Sequence, residues 1–550
     1  MALPSASNTS SAALLLASLN ACTGGGAGGN DSSTPPPPPA RNDISEQQAA
    51  RFLQQAALSS TAAEIAEVRG HGYSGWLDRQ FAAPRNQSHW DWMAGRGYHA
   101  DANNANNFNG ADNTFWRKLI SAPDTLRQRM VLALSEIFVV SMVGLPVAWR
   151  GFCIAHYVDL LEQHAFGNYR QLLEAVTLST GMGNYLNLRG NQKEDTKTGR
   201  VPDENYAREV LQLFSIGLYQ LNPDGSVITD GNGKPLESYT QDSITGLARV
   251  FTGWDYDGYN KADPGFQQRP LVFNAARHSA QEKRFLGVTV TAGTPGTDAM
   301  RIALDSIANH PNVGPFFCRQ LIQRLVCSNP GPAYIARVAA VFNNNGNGVR
   351  GDLQAVVRAI LLDEEARRDP ASQPASWGKL REPVLRLVQW ARTFGASSPS
   401  DLWNIGDTSD PSRRLGQSPL RSPSVFNFFR PGYVPPGTAF ATAGLVAPEL
   451  QITNESSVIG YINWMQSVIQ SGAGEVKANY GDWLAQAGDA PALVNKLALL
   501  LAAGQLGSNS IGTISNAVAS INPSSDSARL NRIYAAILLV MACPEYIAFK

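Results

Sequence analysis

The sequence predicts a mainly α-helical protein, a single large multi-helix body carrying short β-hairpin insertions. Three observations lead there. Apolar residues recur at helical spacing in one segment after another. Strand-like alternation is confined to a few short stretches, and no repeat of fixed period or linker interrupts the chain after residue 45. Apolar content of 43% with only 16% charged residues, over 550 residues, suits a large buried core.

The elements follow in order. Thr61-Ala-Ala-Glu64 reads as a capping box opening a helix that ends near Gly70. Pro123-Asp124 opens another, running through Met130 to Val140. Helical periodicity continues at about 151–165, 168–178, 202–219, 240–252, 297–309 and 312–327. It resumes at about 332–343, 350–363, 379–394, 454–470, 490–503 and 526–542. Between two of these, Asn222-Pro-Asp-Gly-Ser and Asp230-Gly-Asn-Gly give a turn-rich hairpin insertion. Short strands are expected at 271–273 and 285–291. Two loops remain: an Asn-rich one at 103–110, and an aromatic, proline-rich one from Pro419 to Pro436.

The N-terminus reads as an export signal. A short apolar run from Ala12 to Leu19 ends in Leu19-Asn-Ala-Cys22, which resembles a bacterial lipobox with Cys22 as the lipidated residue. No Lys or Arg precedes that run, a departure from the usual signal. The expected organisation is a signal peptide at 1–22, a Gly/Ser/Pro-rich tether at 23–45 and a helical domain at 46–550. Such a chain is a membrane-anchored lipoprotein of the cell envelope, facing the periplasm or the exterior. Cys153, Cys318, Cys327 and Cys543 are then left either to form disulfides or to stay as buried thiols. Cys318 and Cys327 are about 13 Å apart along one helix and should not pair with each other. Lys plus Arg equals Asp plus Glu at 45 each, so no basic field invites nucleic acid.

The most informative segment is Arg200 to Gly217, RVPDENYAREVLQLFSIG. Pro202, Asp203 and Glu204 suit a helix start, and Glu204 and Arg208 stand four apart in the favoured order for an ion pair. Glu209 falls at the edge of the apolar arc, where a carboxylate is costly unless paired, hydrogen-bonded or protonated. Together Glu204, Arg208 and Glu209 are the catalytic candidates, Glu209 as an acid or base with a raised pKa. The competing reading is a buried Glu–Arg network that locks adjacent helices. A second candidate set, for a metal, is His156, Asp159 and His164, although the helix by itself supplies too few convergent ligands.

Several stretches resemble the bacterial family known as domain of unknown function 1800. They are the 202–217 segment; Tyr239-Thr-Gln-Asp242 with Leu247 to Trp254; His310-Pro-Asn-Val-Gly314; Gly351-Asp-Leu353; and Cys543-Pro-Glu-Tyr546. The resemblance spans about Ala49 to Lys550. It implies a mostly helical, exported protein and, as a possible partner, an exported protein of the domain of unknown function 1501 family. It implies no activity.

Familiar catalytic signatures are missing. The sequence has no His-Glu-x-x-His, Glu-x-x-His, Cys-x-x-Cys, Gly-x-Ser-x-Gly or phosphate-binding Gly-x-x-x-x-Gly-Lys pattern. The sequence therefore favours a binding or accessory protein for another exported protein. An envelope hydrolase or metal-assisted enzyme using a Glu/Arg/His cluster is the first alternative. A polysaccharide-binding protein presenting Trp90, Trp92, Trp116, Phe428, Phe429 and Tyr433 is the second.

Overall fold

The computed structural model describes residues 44–550. The expected signal peptide, Cys22 and nearly all of the tether lie outside the described residues. Within them the chain is mainly helical, with three two-stranded antiparallel sheets. Ser45 and Thr61 each close a capping box at the start of Glu46–Ala56 and Ala62–Ala82. The second helix does not stop near Gly70. It kinks at Gly72 (φ 72°) and continues, because Trp76 and Leu77 on its far side are buried in the core.

Most other expected helices stand within a few residues of their reading, Pro332–Asn343 and Asp526–Ala542 among them. Helices at Glu46–Ala56, His89–Gly95, Ala111–Ser121 and Ser508–Ala519 were not legible from periodicity. Polar residues make up much of their surface or sit buried inside them, which blurs an amphipathic pattern. The hairpin insertion is present as bridges Tyr219–Glu237, Leu221–Val227 and Thr229–Pro235. Strands form at Trp254–Asp255 with Val272–Phe273, and at Lys283–Phe285 with Val288–Val290. Gly246 belongs to the helix Gln241–Val250, which lies directly on the backbone of Arg284. Any side chain there would collide with the Arg284 carbonyl.

The central helix is Arg150–His164, packed against His89–Gly95, Ala111–Ser121, Thr125–Ile137 and Tyr169–Leu178. Around it Trp116, Trp149, Tyr157 and Tyr169 are fully buried. At the other end, Lys379–Leu380 pairs with Ala548–Phe549, and Arg51 Nε donates to the Lys550 carbonyl at 2.7 Å. The first helix and the last strand are therefore held together. Cys153, Cys318 and Cys327 are buried free thiols and Cys543 is a partly buried one. Burial pushes the Cys153 thiol up to about 12, so it is an inert core group.

Candidate functional site

The signature segment departs from the uniform helix its sequence suggests. An α-turn at Asn205–Glu209 widens into a π-helix at Val210–Ser215. Pro202 lies before the helix, and Asp203 Oδ1 accepts the Asn205 N–H at 2.8 Å. The wider turn follows from local bonding: Ser215 Oγ donates to the Val210 carbonyl at 2.5 Å, and the Ile216 N–H reaches the Leu211 carbonyl at 2.9 Å. Gly217 then turns left-handed at φ 71°, which ends the helix and leaves Leu218 and Tyr219 exposed.

Glu204 and Arg208 do pair, at 3.2 Å, but on a half-exposed surface. The Glu204 carboxylate also accepts from Gln241 Nε2 and Thr245 Oγ1, so it fastens this segment to the helix Gln241–Val250. Glu209 stands apart, only 8% exposed, with Oε2 unpartnered. Burial raises its pKa, an effect that Arg208 partly offsets.

The metal candidates do not converge as a set. His156 packs edge-on against Trp90, and burial holds its pKa down at about 4. His164 ends its helix half-buried, lowered by desolvation and by Arg85. Asp159 spends both oxygens on the backbone N–H groups of His89 (2.7 Å) and Trp90 (2.9 Å), the orphan donors at the start of the helix His89–Gly95. Burial lifts its pKa to about 7 against those bonds.

Asp159 instead gathers with His89 and Glu162, offering three ligand atoms within 4.8 Å of one another. That grouping carries its own cation. Lys118 Nζ lies 2.7 and 2.6 Å from the two Glu162 oxygens, and both side chains are essentially sealed from solvent. Desolvation, together with Lys118 and Arg117, drives the His89 pKa well down. The cluster is a closed ion pair with a neutral imidazole beside it, and a metal would have to displace the ammonium.

The aromatic residues scatter too. Trp92, Trp116 and Phe429 are buried, and Trp90 packs on Phe152. They form no shared exposed platform. In the turns, Asp224 accepts from Ser226 and Asp230 from Asn232 and Lys234. These carboxylates shape the hairpin loops.

What the fold does bring together is a groove of ≈ 560 Å³. One wall is the π-turn and its exit, Gln212, Leu213 and Gly217 to Tyr219. The opposite wall is the aromatic loop from Val425 to Val434. Phe316, Gln320 and Arg324 rise from the helix Val313–Leu325, and Glu136 and Ile137 complete the floor. Asn312 pins the first wall: its Nδ2 donates to the Ile216 and Tyr219 carbonyls at 2.9 and 2.7 Å, and its Oδ1 accepts the Leu221 N–H. Gln323 Nε2 donates to the Pro431 carbonyl at 3.2 Å and anchors the second. Three of the sequence motifs thus converge here: the 202–217 segment, the 310–314 motif through Asn312, and the 419–436 loop.

Residues 51–548 match the family described as "Protein of unknown function (DUF1800)". The chain belongs to the DUF1800 family. No curated protein and no solved structure matches it.

The groove floor of this DUF1800 protein is electrically unusual. Arg324 Nε lies 3.3 Å from Glu136 Oε2, both side chains buried, and Arg324 Nη2 donates to the Glu136 carbonyl at 2.9 Å. Behind them Lys379 lies 3.5 Å from Glu382 and 3.1 Å from Glu449 and donates to the Arg324 carbonyl, while Arg129 donates to the same carbonyl. Burial and the neighbouring Glu382 push the Glu136 pKa well up. Glu382 is held at about 2: its burial penalty is outweighed by Lys379, by a hydrogen bond from Glu136, by Arg129 and by Gln417. The two buried carboxyls are coupled, Glu136 being pushed up and Glu382 down. Of these groups Glu136 and Arg324 reach the groove floor, and Arg430 stands exposed at its rim. Sequence reasoning missed this network. Its signal was the one that exposed Glu209: Glu136 and Arg324 each interrupt an apolar helical run.

Proposed function

We propose that this DUF1800 protein is an exported lipoprotein, anchored at Cys22, whose groove captures an apolar segment bearing a carboxylate on another exported protein. The observation that carries the reading is the groove itself. Leu218 is 47% exposed beside the partly exposed Phe316, Phe426 and Val434, with the Arg430 guanidinium exposed at the rim to meet a carboxylate. Exposed apolar surface of this kind marks an interaction site. The groove lining contains no Ser, Thr, Cys, His, Lys or Asp; its ionisable groups are Glu136, Arg324, Arg430, Tyr219 and Tyr433, set among apolar side chains that suit recognition of an apolar segment. Glu204 is committed to Arg208, Gln241 and Thr245, which supports the network reading of that cluster over a catalytic one. The first candidate partner is an exported protein of the domain of unknown function 1501 family.

The test uses that partner in purified form. Leu218→Glu puts a like-signed carboxylate against the incoming one and should weaken binding at least ~10-fold, about 1.4 kcal/mol. Val143→Glu, at an exposed apolar position outside the groove lining, should leave it unchanged. Equal affinity for Leu218→Glu and the parent protein would remove the groove from the interface. For the anchor, Cys22→Ser should move the protein from the membrane fraction to the soluble exported fraction; unchanged fractionation would refute lipidation there.

A further inference from the structure

A second cleft, of ≈ 400 Å³, opens between Pro146-Val147-Ala148 and the turn after the strand Trp254–Asp255. Its lining is mostly polar and is built around two tyrosines. Tyr256 and Tyr259 stack with ring centroids 5.3 Å apart and planes 18° from parallel. Phe266 buttresses both rings edge-on at 5.0 Å and is itself buried. Tyr259 is nonetheless 53% exposed, a large ring held rigid in water.

Beside the rings stands a set of fixed polar groups. The Arg189 guanidinium lies 4.4 Å from the Tyr256 ring centroid and donates to Asn184 Oδ1 at 2.9 Å and to Asp255 Oδ1 at 3.2 Å. Asn184 Oδ1 also accepts from the Tyr256 hydroxyl at 2.9 Å. Arg277 donates to Asp255 Oδ2 at 2.7 Å. Each guanidinium keeps further N–H groups beyond these bonds; Asp255 Oδ1 also accepts the Tyr256 N–H at 2.9 Å, so the spare acceptor lone pair is on Oδ2. The side chains of Asp255 and Arg189 remain about one-third exposed.

We infer that this cleft binds a saccharide ring. A pyranose has an apolar C–H face and an equatorial rim of hydroxyls. The outer face of Tyr259 suits the first. The Asp255–Arg189 pair suits the second, with the carboxylate accepting from one hydroxyl and a guanidinium N–H donating to its neighbour. Both are preorganised, since Tyr256 and Phe266 fix the platform while Asn184 and Arg277 fix the ion pair. The volume lies within the roughly 300–1,000 Å³ usual for small-ligand sites. The guanidinium of Arg189 already occupies the cation position at Tyr256, which argues against an organic cation as the ligand.

Binding of β-1,4-linked glucose and N-acetylglucosamine hexamers and of the α-1,4-linked galacturonate hexamer to the full-length protein would be followed by calorimetry. At least one should bind with Kd at or below ~1 mM. Tyr259→Ala, which removes an exposed ring and no hydrogen bond, should weaken it at least ~10-fold. Asp255→Asn should weaken it too, while the groove variant Leu218→Glu should leave it unchanged. Tighter binding of the galacturonate hexamer would assign the two arginines to a sugar carboxylate; tighter binding of a neutral hexamer would assign them to hydroxyls. Failure of all three hexamers at ~10 mM, or an affinity insensitive to Tyr259→Ala, would overturn the assignment and leave the groove proposal untouched.

Discussion

Lys118→Met tests whether the cluster around Asp159 is a structural ion pair or a vacant cation site. Lys118 Nζ touches both Glu162 oxygens, and the two side chains are 1% and 2% exposed. Removing the ammonium leaves a buried carboxylate without its partner, a loss of about 3–5 kcal/mol. Removing both charges, Lys118→Met with Glu162→Leu, eliminates the uncompensated group and should recover most of that loss. Glu162 already has a raised pKa, chiefly from burial, with Lys118 pulling the other way. Without Lys118 it should hold a proton at higher pH still, so the single-variant penalty should shrink as pH falls from 8 towards 5. Denaturant titration is the better assay. With roughly 500 ordered residues, ΔS of unfolding is about 1 kcal/mol/K, so even 5 kcal/mol moves Tm by only about 5 °C. A single-variant loss below ~1 kcal/mol, or a double variant no better than the single one, would refute the reasoning. So would stoichiometric metal in the purified parent protein.

Three further outcomes follow from named side chains. His156 has its pKa held at about 4, against about 6.5 when unfolded, so the unfolded chain binds a proton in that window and the folded one does not. Its contribution is present above about pH 6.5 and is lost as pH falls to about 4, at most about 3 kcal/mol, and His156→Phe should flatten that part of the acid-unfolding profile. Glu209 has the opposite sign: its raised pKa means stability is lost as pH rises through the folded value. Glu209→Gln should therefore stabilise the protein at pH 7 and make little difference at pH 4, read from denaturation midpoints at both. Asn312→Ala removes three hydrogen bonds to the groove wall and should cost roughly 2–3 kcal/mol. Hydrogen exchange at 216–221 should quicken more than in the Tyr169–Leu178 helix; uniform quickening would refute a local role.

Much of the fold was legible because helices announce themselves locally. The capping box at Thr61 and Glu64 and the periodic run at 332–343 place their elements closely, since 3.6-residue spacing and a side-chain cap depend only on near neighbours. Ala111–Ser121 escaped because Lys118 and Arg117 are buried, which inverts the expected polar face. The π-turn at 210–215 escaped because it depends on a single serine hydroxyl turning back to a carbonyl and on Asn312, far along the chain, holding the exit.

The sequence by itself determined the helical class, the family and an anomalous carboxylate at Glu209, all consequences of periodicity and local charge. Tertiary structure decided what those features do. It made Glu204 and Arg208 a surface fastening and gave Asp159 to the start of a neighbouring helix. It also placed the 202–217 segment opposite the 425–434 loop over Glu136 and Arg324. Grooves and buried ion pairs join residues hundreds of positions apart, and only packing sets whether a charge meets a partner, a backbone N–H or open water.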